Sequence, residues 1–550
     1  MQSIIGKIKK SGLYAIFSRK EELLILICMV ILVFFLVFFR ISEIPPPHSD
    51  ELDHGWWVIS ILRSGVWKYI LDPFLSHPYS GPIFHYTLIP SLYFLGNSIY
   101  ALRFPTSVFG ILLWLFTYLF TKKFYDRRTA FLASFILVLL PPYFTYSRMA
   151  LECILLPFFL ILSLYLLVKY EEKGHKKFLY IFALVCGFGI STRIDFVFFI
   201  ISLVLMSKAG IVFERLKKLG KKDLIIVFLI FLFGSYPMIV YNIKNNFSIL
   251  QKTLKRFPKA PYSDWDLSDV VGNLRFNIFK IIPNFFKGGG TFGGPRDPFV
   301  FNFFLIFFLG SLIFLVFKHL KEGKLNSNFK KDLFIIVNIL VFFITLSVLT
   351  PFLFFEDHYI ATLPLCAIVI GRTFSYALKS IKSSHLHKIL FSLLFISFLF
   401  VGILSIYEVL FKDWPKDFDS LCVINAEKVV DSVLSINHSI IVIDRNSRIH
   451  NMISWLLYKR GLYDYADRNV SIPSLQCNEY KKLVMMDNDD ILFVFGNLCG
   501  SGEDCKVEFM KAVNKYNKTA ILEDGIYSND DELLYTIYRV VGMATIHSKE

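Results

Sequence analysis

The sequence predicts an α-helical polytopic membrane protein of about eleven transmembrane helices, followed by a small external α/β domain at its C-terminal end. Three observations predict it. The 550 residues are 55% hydrophobic and only 19% charged, with 60 phenylalanines, and the mean hydropathy is +0.54, a balance that ordinary soluble domains do not have. Apolar runs long enough to cross about 30 Å of hydrocarbon recur along the first three quarters of the chain. After about residue 408 the composition turns mixed and polar.

The apolar runs lie near 23–39, 105–120, 129–146, 153–168, 178–190, 195–206, 223–241, 299–317, 333–350, 359–371 and 388–407. Lys and Arg gather in the connections 1–20, 121–129, 169–177, 207–223, 318–332 and 377–388. Positive charge is retained on the cytoplasmic side, and these segments alternate along the chain, so the N-terminus is expected inside. The intervening stretch 41–104 has only Arg63, Lys68 and Arg103 and is expected outside. The basic N-terminal stretch leads straight into a full-length run, which reads as a retained anchor. The net charge of +15 follows mostly from this asymmetry and from attraction to anionic lipid, not from nucleic acid, because no basic patch is interleaved with a reading motif. The expected location is a prokaryotic plasma membrane, with the C-terminal domain outside.

The expected domains are a transmembrane catalytic unit, 1–407, with external loops 41–104 and 242–298, and an external unit, 408–550. In the latter, "SIIVID" (439–444) and "DILFVFG" (490–496) read as strands, and 425–436, 448–460 and 506–516 as helices. Cys422, Cys477, Cys499 and Cys505 fall there, compatible with two disulfides in any of three pairings. In the loop 242–298, "KGGGTFGGPRDP" (287–298) cannot hold a stable helix. It reads as a mobile lid over a cavity, with a phosphate cradle as the other use.

Four clusters of ionisable residues mark the outer ends of the runs: "PPPHSDELDHG" (45–55), "SHPYSGPIFHY" (76–86), "SRMALE" (147–152) and "FEDHY" (355–359). Charges are expensive near hydrocarbon and usually mark a functional cavity. Each residue also has an ordinary structural use. Ser49 or Asp50 could cap the helix beginning at "ELDHG"; Arg148 and Glu152, four apart, would pair on one helix face; and Arg193 would pair with Asp195.

The "DE" pair after the first run, "HPYSGPIFHYTLIPSLYFLG" (77–96), "RFPTSVFG" (103–110), "LLPPYFTYSRMALEC" (139–153), "STRID" (191–195) and "HYIATLPLCAIVIG" (358–371) together resemble the GT-C superfamily of polytopic glycosyltransferases. Within it they resemble the branch of dolichyl-phosphate-mannose protein mannosyltransferases and the lipid A aminoarabinose transferase. Glu152 stands where the family often has Asp, and His358-Tyr359 where relatives commonly have Arg-Tyr. The resemblance implies a polyprenyl-phosphate sugar donor, membrane lipid around it, and an acceptor hydroxyl on a protein, lipid or glycan at the external face. A carboxylate must take the acceptor's proton as the new bond forms, a role that falls to Asp50. Guanidinium groups can stabilise the leaving phosphate; Arg148 and Arg193 are the candidates. Glu51 is placed with Asp50 in the catalytic pair as an orienting group, and Glu152 binds acceptor. His77, His358 and Tyr359 complete the expected substrate-binding set. One displacement with inversion needs one base, and no cofactor is required; a divalent cation held by the same carboxylates and imidazoles is the competing use. The other function classes are a catalytically inactive relative that binds lipid or a partner, and a secondary transporter, which would place its charges nearer the midplane within repeats.

Overall fold

The computed structural model describes residues 19–73, 81–208, 213–247, 285–286, 298–322, 327–349, 356–380, 385–411, 439–444, 455, 470–473, 491–496, 518–527 and 533–542. Each apolar run read from the sequence overlaps a described helix, but 129–146 is split between Arg127–Leu139 and Pro141–Tyr146. Seven described helices are long and apolar enough to cross a membrane by length and composition: Lys20–Phe38, Ile99–Phe124, Glu152–Lys173, Lys221–Lys244, Asn302–Lys321, Tyr359–Leu378 and Ser392–Leu410. Leu23, Leu24, Ile31, Phe34 and Phe35 of the first helix point outward, the surface that lipid would cover. The chain is an integral membrane protein.

Local chemistry sets the helix boundaries. Ser98 Oγ accepts from the Ala101 backbone N–H at 3.1 Å and starts the helix Ile99–Phe124. Asp126 accepts from the Thr129 N–H at 2.9 Å and starts Arg127–Leu139. Each side chain satisfies a donor that the first helical turn leaves without an internal partner. Pro141 and Pro142 then open a short helix, Pro141–Tyr146, and the chain stays irregular up to a 3-10 turn at Glu152–Ile154. Arg148 and Glu152 therefore do not share a helix face, contrary to the expectation from their spacing. The prolines fix φ early but supply no N–H to continue a ladder.

The stretch 41–104 is itself mostly helical, with Ser49–Ser64, Val66–Leu71 and Ile83–Leu95. The cap of the first is His48, whose Nδ1 accepts from the Asp50 N–H at 3.2 Å while the His48 N–H donates to Glu51 Oε2 at 2.9 Å. Neither Ser49 nor Asp50 is the cap.

Helices approach closely where residues are small. The helix Lys176–Thr192 packs on Lys221–Lys244, where a methyl group on Gly234 would lie 2.6 Å from the Leu184 carbonyl oxygen and one on Gly187 would lie 2.5 Å from that of Phe231. Because backbone cannot swing aside as a side chain can, Gly234→Leu should destabilise the fold by about 1–3 kcal/mol or more. Thermal unfolding in detergent measures this; an unchanged midpoint would contradict the contact. At the bundle end opposite Asp50, Arg372 donates to Asp332 at 3.2 Å, to Asn328 at 3.0 Å and to Tyr376 at 2.7 Å, and His319 meets Asp332 at 2.8 Å.

The last described helix, His385–Phe411, ends four residues beyond the expected boundary at 407. A five-stranded sheet follows, in the order β2-β1-β3-β5-β4, from β1 (Ser439–Asp444), β2 (Val470–Pro473), β3 (Ile491–Gly496), β4 (Lys518–Tyr527) and β5 (Leu533–Gly542). β1 pairs in parallel with β2 and β3, and β5 is antiparallel to β3 and β4. β1 and β3 coincide with the two expected strands. The three expected helices, apart from Trp455, and all four expected disulfide cysteines lie outside the described residues. Trp455, from the connection between β1 and β2, is fully buried with its ring beside Gly55.

Candidate functional site

The segment after the first helix is held by two arginines that are themselves out of water. Arg103, at the start of the helix Ile99–Phe124, grips Glu51 with both arms of its fork: Nε donates to Oε1 at 2.7 Å and an Nη to Oε2 at 2.6 Å. Its remaining donors reach the carbonyls of Ile41 at 2.8 Å, Pro45 at 2.7 Å and Pro46 at 3.2 Å. Glu51 also accepts from the Ala150 N–H at 2.6 Å and from the His48 N–H at 2.9 Å. Burial alone would raise the Glu51 carboxyl, but the Arg103 guanidinium and the two backbone donors outweigh it and hold the group below its ordinary value. A carboxylate so surrounded cannot approach a substrate, so Glu51 is a structural anchor and leaves the catalytic pair.

Arg148 is equally occupied. Its Nε and one Nη donate to Ile44 O at 3.2 and 3.0 Å, that same Nη also donates to Phe39 O, and the other Nη donates to Leu36 O and to Val37 O at 3.1 Å. A guanidinium has five N–H donors, and five contacts to carbonyls account for them. Leu36 to Phe39 is where the helix Arg19–Phe38 ends and its last carbonyls run out of internal partners, so Arg148 is a helix cap supplied from elsewhere in the chain. It therefore leaves the phosphate-binding set, and its partner is not Glu152.

What these clamps present is Asp50, in the first turn of the helix Ser49–Ser64. Its side chain is 19% exposed, with Oδ2 3.7 Å from His48 Nδ1. One turn on, His54 is buried. Its Nδ1 lies 3.2 Å from His85 Nε2, and its Nε2 lies 3.5 Å from Glu152 Oε2. Burial would lower the His54 pKa, but Glu152, with Asp53 and Asp50, outweighs it and holds the imidazole above the ordinary histidine value. His85 Nδ1 continues to Tyr69 Oη at 2.8 Å. On the far side of Glu152, Arg193 stands 4.0 Å from Oε1 and donates to Asp195 Oδ2 at 3.1 and 3.3 Å.

Three of the four sequence clusters are thus joined. The fourth approaches through its backbone: the 3-10 turn Glu356–Thr362 packs against Glu152–Ile154. Within it Tyr359 is fully buried with its ring 5.2 Å from that of Phe343, while the side chain of His358 lies outside the described residues, as does all of His77. The Gly-rich segment 287–297 lies outside them too. Among the described residues, no three His, Cys, Asp or Glu side chains gather as a metal site would require. Sequence reasoning passed over Arg103, Tyr69 and His85 as site residues. The first had a signal, a charge at the mouth of an apolar run.

ArnT from Cupriavidus metallidurans bound to undecaprenyl phosphate superposes with a TM-score of 0.62 at 10% identity, covering 94% of this chain and 98% of that one. Its apo form gives 0.60 at 9% identity, covering 94% and 97%. The fold is GT-C. The oligosaccharyltransferase of Archaeoglobus fulgidus, tethered with an acceptor peptide containing the NVT sequon, gives 0.52 at 13% identity, covering 94% of this chain and 74% of its own. Residues 76–241 match the dolichyl-phosphate-mannose-protein mannosyltransferase family model, a segment that holds His85, Arg103, Arg148, Glu152 and Arg193. No curated protein matches in sequence. The resemblance to the mannosyltransferase and ArnT branch thus has support from both the sequence segment and the fold, and the coarse reading of a membrane glycosyltransferase has the same support.

Proposed function

We propose that this protein transfers a sugar from a polyprenyl-phosphate donor to an acceptor hydroxyl at the outer membrane face, by one displacement with inversion. The observation that carries the reading is the investment made in presenting Asp50. Burying a guanidinium costs several kcal/mol, yet Arg103 and Arg148 are both fully buried, and both are spent on fixing the segment that leads to Asp50. Such preorganisation is what a transfer site requires of its first contacts. Among the carboxylates of the cluster, Asp50 is the more exposed, with 19% of its side chain accessible against 10% for Glu152 and 1% for Glu51.

Asp50 takes the acceptor hydroxyl's proton as the oxygen attacks the anomeric carbon. The bond from that carbon to the phosphate oxygen breaks, and its electron pair leaves with the lipid phosphate. Glu152 orients the acceptor. Arg193 is the remaining guanidinium for the phosphate, and it would have to share itself between Asp195 and the donor. ArnT bound to undecaprenyl phosphate supports the donor class, and the oligosaccharyltransferase with its tethered peptide supports an acceptor peptide. Membranes containing the protein should move radiolabel from a polyprenyl-phosphate sugar to an acceptor. Label that stays on every polyprenyl-phosphate donor tried would overturn the reading.

A further inference from the structure

Glu152 is reached by a chain of buried side chains that the transfer step leaves unused. Tyr69 comes from the helix Val66–Leu71, His85 from Ile83–Leu95 and His54 from Ser49–Ser64. Each is at most 2% exposed, and successive contacts measure 2.8, 3.2 and 3.5 Å, ending on Glu152 Oε2. Hydrogen counting gives the chain a direction. Only one hydrogen fits between two imidazole nitrogens, so one ring donates and the other accepts. Burial raises the Tyr69 phenol well above its usual value, so it keeps its proton and can donate to His85 Nδ1. His85 then carries its hydrogen on Nε2 and donates to His54 Nδ1. His54 in turn carries its hydrogen on Nε2, facing Glu152. The first two links are hydrogen bonds, both rings are neutral, and the third is a 3.5 Å contact from His54 Nε2 to the Glu152 carboxylate.

A second arrangement holds one more proton. His54 is then an imidazolium that faces Glu152 at 3.5 Å and donates to His85 Nε2, and His85 Nδ1–H turns to the Tyr69 oxygen. The groups that favour it are Glu152 across the contact and Asp53 and Asp50 on the same helix. Arg193, paired with Asp195 behind Glu152, opposes it.

We propose that His85 and Tyr69 are positioning residues of the transfer site, which fix His54 with its Nε2–H toward Glu152 and so hold that carboxylate ionised and aimed at the acceptor. The inference rests on the acceptor-binding role proposed for Glu152, and its test has one arm that does not. Full-length protein in detergent is labelled at histidine, and the His54 resonance, assigned by its loss in His54→Gln, is titrated without substrate. His85→Leu removes the acceptor for the imidazolium's Nδ1–H and should lower the His54 midpoint by about one pH unit. Tyr69→Phe should move it the same way by less, and His85→Gln, which can still accept and donate, should restore part of it. In the transfer assay His85→Leu should raise the acceptor KM several-fold, leave the donor KM in place, and shift the acidic limb of the pH profile with the midpoint.

An unmoved His54 titration with only a lower melting temperature would reduce His85 to packing and overturn the proposal. Should His85→Leu fail to fold, Tyr69→Phe, which removes one oxygen, decides through the same titration. If the wild type transfers no sugar, the functional reading falls and with it the acceptor role; a moved midpoint would then still uphold the hydrogen-bonded chain, and an unmoved one would overturn that as well.

Discussion

Asp50→Asn should lower sugar transfer by about 10²–10⁴-fold, the usual cost of losing a general base, with no change in membrane insertion or melting temperature. The amide keeps the shape of the carboxylate, and the clamps on either side do not depend on it: Arg103 holds Glu51, and Arg148 holds the carbonyls of Leu36 to Ile44. The loss should fall on kcat with donor affinity retained, because proton transfer belongs to the transition state. Activity within threefold of wild type would remove Asp50 from the mechanism and pass the role to Glu152. Glu51→Gln should behave differently. It should lose stability first and activity only as a consequence, since Glu51 faces Arg103 and not the site opening.

The second large effect is on Arg103. Arg103→Met leaves the Glu51 carboxylate buried with its principal partner gone, and breaking such a pair costs about 3–5 kcal/mol. It also strips the carbonyls of Ile41, Pro45 and Pro46 of their donor, so the expected result is poor folding and loss of transfer. The double change Arg103→Met with Glu51→Met removes both charges together and should recover a large part of the stability, since an apolar replacement of a buried pair is often neutral. Transfer should not return with it, because the carbonyls remain unheld. The pH dependence has a definite sign. Glu51 is held below its unfolded value, so its contribution is fully present above the ordinary carboxylate range and is lost as pH falls through the lowered native value. Melting temperatures in detergent from neutral pH downward should fall in the wild type and show a weaker acid dependence in the double variant. Parallel curves would mean that Glu51 is not the group responsible.

Much of the fold was legible in the sequence because crossing a bilayer is a one-dimensional requirement. Length and apolarity along the chain located every helix that the runs named, and the two strands that are nearly unbroken apolar runs, β1 and β3, stood out for the same reason. β4, "KTAILEDGIY", and β2, "VSIP", interrupt or shorten that signal, and their pairing partners are far away in sequence. The site was less legible. That the acidic cluster, Glu152 and Arg193 converge followed from placing charges at helix ends. What each does depends on contacts that no spacing encodes: Arg103 meets Glu51 across 52 positions, and Arg148 meets carbonyls more than 100 positions earlier. A carbonyl is also present at every residue, so a guanidinium that caps a distant helix leaves no mark on the partner's sequence. The expected Arg148–Glu152 pair failed for a local reason, since the short helix that the prolines open stops at Tyr146 and the chain between Arg148 and Glu152 is irregular.

The capping of the first helix by Arg148 bears on how the protein is made. When the helix Arg19–Phe38 enters the bilayer during synthesis, the residue that will satisfy its terminal carbonyls has not yet been translated, and neither has Arg103, which fixes the turn beyond it. Until the chain has emerged past the turn at Glu152–Ile154, that end of the helix relies on water and lipid headgroups for its hydrogen bonds. The candidate site is therefore closed late by residues inserted after it, and Ala150 is the last residue the clamp requires. Nascent chains arrested on the ribosome just short of Arg148 should leave the 36–46 region open to protease, and chains released past Lys173 should protect it.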